Sequence, residues 1–151
     1  MMDIKNLRPQ KHSRYDQGYI NPRSCKKVFE SQQGKPIIFR SSLERKFIGW
    51  CESNKSVKNW GSECIQVRYY NPRDGKYHTY NPDFMLEMTD GRKIVVEIKP
   101  YSQTQRPDGA RIDGSWAWEQ WEKNVLKWRA AVDYFSSIGI KFIIITEKFF
   151  A

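Results

Sequence analysis

The chain has three cysteines, two histidines, no long apolar run and no internal repeat, and each shortage closes off a class of function. Cys25, Cys51 and Cys64 are odd in number and show neither Cys-x-x-Cys nor Cys/His ligand spacing, so neither a disulfide framework nor a zinc site is expected. Such usage fits a reducing cytoplasm. His12 and His78 are too few and too isolated for a ligand role. No stretch approaches the roughly 18 apolar residues needed to cross a bilayer. The start, Met1-Met2-Asp3-Ile4-Lys5, lacks the apolar core of a secretory signal. No membrane partner is expected, and the protein is expected to stay where it is made. Acidic residues are also scarce: 17 Asp and Glu stand against 26 Lys and Arg, a net charge of +9.

The 151 residues are enough for one compact domain with a real core and too few for two, so a single site is sought. A 39% hydrophobic and 15% aromatic content suits a folded interior. The positive balance points to a polyanionic partner, because each phosphate neutralised by Lys or Arg releases condensed counterions. Much of it lies early: residues 1–40 hold nine Lys and Arg against Asp3, Asp16 and Glu30. Residues 1–36 mix Pro, Gly, Asn, Gln and basic side chains with no sustained period, and read as an extended basic arm ahead of a domain spanning 37–151. Lys5, Arg8, Lys11, Arg14, Arg23, Lys26 and Lys27 are its candidate DNA-binding residues. A solubilising tail is the competing reading.

Within 37–151, Leu43, Phe47, Trp50 and Cys51 fall at helical spacing after Ser41-Ser42-Leu43-Glu44, which fits a capping box, and predict a helix ending near Asn54. Three strands are expected at 63–70, 77–88 and 93–99, an antiparallel meander with turns at 71–75 and at Asp90-Gly91. Residues 100–114 form a long polar loop. Trp118, Trp121, Val125, Trp128, Val132 and Phe135 then recur three and four apart on one helical stripe, and Gly139 is a natural stop. That stripe reads as core, with Lys123 and Lys127 off its centre, facing phosphate or solvent. The β-branched run 140–146 predicts a strand reached by a helical crossover and placed inside the sheet. The sum is an α/β fold, a mixed sheet flanked by helices.

Chemistry gathers at Asn81-Pro82-Asp83 and Val95-Val96-Glu97-Ile98-Lys99. Alternation puts Glu97 and Lys99 on one face of their strand and Ile94, Val96 and Ile98 on the other. A two-residue Asp90-Gly91 turn would point Asp83 away from them. A three-residue loop, Asp90-Gly91-Arg92, sets Phe84 on Ile98, Leu86 on Val96 and Met88 on Ile94, which makes one face apolar and brings Asp83 opposite Lys99. Two carboxylates and a lysine suit phosphodiester hydrolysis. Asp83, Glu97 and the Ile98 carbonyl could hold a hard Mg²⁺ ion, with Mn²⁺ standing in for it, while Lys99 orients or deprotonates water or steadies charge on phosphorus. Glu44 could add a carboxylate, and Glu63 is an accessory candidate. The plainer readings are a cross-strand ion pair for Asp83 with Lys99, and a helix cap for Glu44.

Taken in order, Arg40-Ser41-Ser42-Leu43-Glu44, Trp60-Gly61-Ser62-Glu63, Tyr80-Asn81-Pro82-Asp83-Phe84 and Glu97-Ile98-Lys99-Pro100 resemble the head-completion nucleases of T-even-type tailed bacteriophages and, more distantly, TnsA-type transposon endonucleases of the PD-(D/E)XK superfamily. The resemblance covers about the last 110 residues and leaves the basic arm outside. It implies the restriction-endonuclease-like fold, a helix glutamate at Glu44, metal ligands at Asp83 and Glu97, and the catalytic lysine at Lys99. It also implies DNA as substrate, processing of DNA at the phage portal, portal or other head and neck proteins as partners, and a place in the host cytoplasm or on the virion. The competing function is a structural head or neck protein that binds DNA or portal without cutting.

Overall fold

The computed structural model describes residues 17–107 and 115–151. Its centre is a four-stranded mixed sheet in the order β3 (Val57–Ser62), β6 (Phe84–Met88), β7 (Lys93–Ile98), β8 (Lys141–Ile145). The first three strands run antiparallel to their neighbours, and β8 joins β7 in parallel after the crossover helix α2 (Trp116–Ser137). A second helix, α1 (Ser42–Ser53), covers the other face. Two short antiparallel pairs complete the molecule: β1 (Gly18–Ile20) with β2 (Ile37–Phe39), and β4 (Val67–Asn71) with β5 (Lys76–Tyr80). This is the expected α/β mixed sheet with a helix on each side.

Two cores follow from strand alternation. Phe84, Leu86, Met88, Val96 and Ile98 face α1, where Phe47, Ile48, Cys51 and Trp60 close over them. Met85, Val95, Phe142 and Ile144 face α2 and the β4–β5 hairpin, packed on Trp128, Ala131, Phe135, Val67 and Tyr80. The stripe on α2 is centred on Trp118, Trp128, Ala131 and Phe135, while Val132 lies at its exposed margin. Gly139 takes φ +77° just past the helix, a left-handed conformation that costs glycine little.

The structure departs from the sequence reading at four points. First, only the second half of the strand expected at 63–70 forms, as β4; an unexpected strand, β3, precedes it, and Glu63 lies in the turn between them with φ +48°. Second, the stretch 77–88 is two strands, β5 and β6, broken at Asn81-Pro82-Asp83. Third, β8 is an edge strand. Its apolar run is explained by helices on both faces, Ile143 and Ile145 toward one core and Phe142 and Ile144 toward the other. Fourth, the described part of the expected arm is packed on the body. Ile20 and Val28 are buried in the α1-side core, and the Phe29 amide donates to the Trp60 carbonyl at 2.8 Å.

Gly61 shows how close that packing is. A Cβ there would sit 2.6 Å from the Phe29 ring and 2.8 Å from Gln32 Oε1, which itself accepts from the Ser62 amide at 2.6 Å. Gly61→Ala is expected to cost about 1–3 kcal/mol, the usual range for overpacking, and a urea melt checks it. An unchanged midpoint would mean that residues 29–32 do not rest on β3.

Candidate active site

The β6–β7 hairpin has the face pattern read from the sequence but not its register. Phe84 pairs with Val96 and Leu86 with Ile94, so the loop is Thr89-Asp90-Gly91 and every partner is displaced by two residues from the expected pairing. Gly91 still takes the left-handed position, at φ +89°. A displacement of two preserves which side each residue faces, so Asp83 stays with Glu97 and Lys99, but the register continued past β6 sets it opposite Glu97 instead of Lys99. The cross-strand ion pair between Asp83 and Lys99 loses its geometric basis.

Pro82 is the reason the strand ends there. The same register puts it opposite Ile98, at a position where both backbone groups should exchange hydrogen bonds, and proline has no N–H to give. The Ile98 amide donates instead to the Asp83 carboxylate at 2.7 Å. Lys99 turns its own amide the other way, to the Ile145 carbonyl at 3.0 Å. Within a strand the N–H and C=O of one residue point to the same side, so the Ile98 carbonyl faces the Asp83 side, where the ladder offers it no donor.

Three carboxyl groups meet in one cleft of about 450 Å³, whose walls include Arg40, Glu44, Asp83, Glu97, Ile98 and Lys99. Glu44 and Glu97 are buried, the only charged residues so placed among those described. Burial and the Glu97 charge hold the Asp83 carboxyl well above the ordinary range, with the Ile98 amide and Lys99 opposing them. Burial and Asp83 raise Glu44 to about 7. Behind Glu97, Tyr80 Oη and Trp128 Nε1 are buried without a hydrogen-bond partner, and burial with the Glu97 charge drives the Tyr80 hydroxyl far up. A cleft that carries this much negative potential on an otherwise basic protein is short of positive charge.

Glu44 serves two structural ends at once. Its amide donates to Ser41 Oγ at 3.1 Å, as in a capping box, and its Oε2 accepts a short hydrogen bond from the Arg40 amide. Its carboxyl also lines the cleft with Asp83, whose charge helps raise it, so the cap and the cleft share one side chain. An acid raised in the folded state is neutral and harmless at low pH, and its cost grows as pH climbs through the raised value. In EDTA the protein is therefore expected to lose about 2 kcal/mol between pH 5 and pH 8 through Glu44. Denaturant melts should show Glu44→Gln flattening that slope, and an unaltered slope would contradict the placement of Glu44.

A divalent cation fits this donor set. Among the described residues no three His, Cys, Asp or Glu side chains form a ready-made metal cage. A carboxylate pair with one backbone carbonyl, the remaining positions left to water and phosphate, matches the way Mg²⁺ is commonly held. Asp83, Glu97 and the Ile98 carbonyl could supply that set.

The other expected site residues are placed elsewhere. Glu63 is tied outside the cleft walls, its carboxylate 3.4 Å from Arg40 Nε and its amide on the Asp83 carbonyl at 2.9 Å. Lys27 is not free for DNA: its ammonium binds the Asn54 and Cys51 carbonyls at 2.6 and 3.3 Å, capping the far end of α1. Lys26 and Arg23 are exposed, and the Lys26 amide is bound by Glu52 at that same end. Lys5, Arg8, Lys11 and Arg14 lie outside the described residues. The sequence reading left Lys127 between phosphate and solvent. It is half-buried, 5.6 Å from the centre of the Tyr80 ring, and burial lowers its ammonium against the pull of Glu97.

Two comparisons with known proteins place the chain among its relatives. Residues 54–147 match the family model described as the TnsA-like endonuclease N terminal. That span holds Asp83, Glu97 and Lys99 and begins after Glu44. The chain is also 32% identical over 120 residues to the "Head completion nuclease" of Enterobacteria phage T4, an alignment covering 75% of this chain and 80% of the relative.

Proposed function

Because the chain belongs to the TnsA-like endonuclease family, we propose that it is a Mg²⁺-dependent DNA endonuclease of the PD-(D/E)XK type whose site is the cleft around Asp83. The observation that carries this reading is the crowding of Glu44, Asp83 and Glu97 in one buried, anionic cleft with Lys99 in its wall. Such crowding costs stability, and a phosphate-directed metal site gives it a purpose.

Asp83 and Glu97 would hold the ion with the Ile98 carbonyl. When bound, Mg²⁺ supplies Lewis acidity toward the scissile phosphate and acidifies a water, with Mn²⁺ able to replace it. Lys99 is anchored by its backbone to β8, so its ammonium can stay beside the phosphate while its flexible stem follows the attacking water or the charge growing on phosphorus. Glu44 can hold a second water through the oxygen that does not take the Arg40 amide.

The T4 relative's name points to head completion, and the task we assign is processing of DNA ends at the phage portal, in the host cytoplasm or on the assembling particle. Head or neck proteins would then be the docking partners, and the candidate DNA-binding cations of the first 36 residues, other than Lys27, would serve DNA. Supercoiled plasmid incubated with Mg²⁺, with Mn²⁺ and with EDTA tests the central claim. Nicks or breaks are expected with either metal and none in EDTA. A protein that binds plasmid and never cuts it would be a structural head or neck protein instead.

A further inference from the structure

Lys99 belongs to two hollows. One is the carboxylate cleft. The other, of about 410 Å³, opens between the loop after β7 and the first three turns of α2, a size within the range of small-ligand pockets, roughly 300–1,000 Å³. Trp116, Gln120, Asn124 and Lys127 line it at helical spacings of four, four and three, so they form one polar stripe beside the apolar one. Trp121 lines it as well, braced edge to face on Trp128 with ring centroids 6.3 Å apart. Gln103 forms part of the facing wall and also borders the carboxylate cleft.

That facing wall is built rather than loose. The Tyr101 amide is gripped by both Glu147 oxygens at 2.9 and 3.0 Å, and Lys148 Nζ stands 3.3 Å from the Tyr101 ring centre. Farther along, the Arg106 guanidinium lies 4.9 Å above the Trp118 ring. Trp116 is 76% exposed at the mouth, an unusual place for so large an apolar surface. The lining thus joins indole surface to amide groups that both donate and accept, with two ammonium groups at the end nearest the carboxylates. Indole surfaces stack on a flat ring, amides read its polar edge, and lysines meet phosphate.

We propose that this hollow receives one unpaired nucleobase next to the phosphate held at Asp83, Glu97 and Lys99, so that the substrate class is DNA with unstacked nucleotides beside the cut: forks, flaps and frayed ends. The inference rests on the nuclease reading for its position on the substrate, but the hollow and its lining exist without it. A base in a continuous duplex enters only by leaving its stack, and the cost is least where it is already unpaired. Lys127, at the end of the hollow nearest the carboxylates, would meet the backbone phosphate of that nucleotide.

Two measurements test this and separate it from the nuclease reading. In the first, full-length protein carrying Asp83→Asn is titrated into a forked duplex whose first unpaired base is 2-aminopurine. Stacking in the hollow is expected to quench the fluorescence; Trp116→Ala is expected to weaken that quenched complex about tenfold, the order seen when a base loses an aromatic platform, and Asn124→Leu to weaken it by removing the amide that reads the base edge. Fluorescence that stays bright at saturation overturns the proposal, as does quenching that both substitutions leave intact. In the second, wild-type protein with Mg²⁺ is expected to cut the fork at least about tenfold faster than a blunt duplex of the same sequence, the ratio falling toward one in Trp116→Ala. Equal cutting of the two by wild type also overturns it. Quenching with no cutting of any DNA supports the base site and sinks the nuclease reading alone.

Discussion

Replacing Asp83 by asparagine is expected to lower plasmid cutting by at least about a thousandfold while raising, not lowering, the melting temperature in EDTA. The two halves share one cause. Asp83 is partly buried, with Glu97 beside it and Glu44 in the same cleft, and the Ile98 amide and Lys99 are the main groups that offset its charge. Asparagine keeps an oxygen for the Ile98 amide and removes the charge, so the repulsion disappears and the backbone contact at 2.7 Å remains. Each kcal/mol relieved is worth about 2–4 °C in a chain of this size. The gain should be largest at high pH, where a carboxyl raised in the fold is forced to ionise, and should vanish as pH falls below the ordinary aspartate range. With Mg²⁺ present the order is expected to invert: wild type gains stability from the ion, by about 2.7 kcal/mol at a hundredfold excess over Kd, and the variant does not. Calorimetry in EDTA and in Mg²⁺, read beside the nicking assay, checks all of this. A variant that melts lower than wild type in EDTA at pH 8 would show that Asp83 is structural.

The faces of the β6–β7 hairpin were legible before its register was. Alternation sorts residues by parity, and Asp83, Glu97 and Lys99 share parity in any pairing displaced by an even number, which is why the cluster survived an error of two residues. The register itself turned on where the hairpin loop begins, and Thr89 carries no side-chain signal that separates it from a strand residue. Strand β3 was missed for a related reason. Val57 and Trp60 are both buried but lie three apart, and the pairing with β6 shifts between Val57 and Asn59, so a bulge hides the period-two pattern. Pro82 was visible as part of a motif, and its missing N–H also marked where β6 begins, a consequence that only the partner strand makes plain. The polar stripe of α2 was harder still: its loop-side wall depends on contacts from Tyr101 to Glu147 and from Arg106 to Trp118 that no local pattern encodes.

Lys99→Ala should separate holding the ion from using it. Cutting is expected to fall by about 10²–10⁴, the range for loss of a positioned acid or base, yet the Mg²⁺-dependent rise in melting temperature should survive, because the ammonium donates and cannot serve as an oxygen ligand. Removing it in EDTA takes away one of the few groups that offset the Asp83 charge, so the metal-free variant should melt slightly lower than wild type, opposite in sign to Asp83→Asn. Lys99→Arg is expected to recover little activity, since a planar guanidinium cannot follow water and phosphorus as a compact ammonium on a flexible stem does. The two positions thus predict a crossed pattern: Asp83→Asn stable without metal and blind to it, Lys99→Ala less stable without metal and fully responsive to it, both inactive. If Lys99→Ala instead lost its response to Mg²⁺, the lysine would be shaping the carboxylate pair and not the phosphate. Activity within about threefold of wild type would move the chemistry away from the cleft altogether.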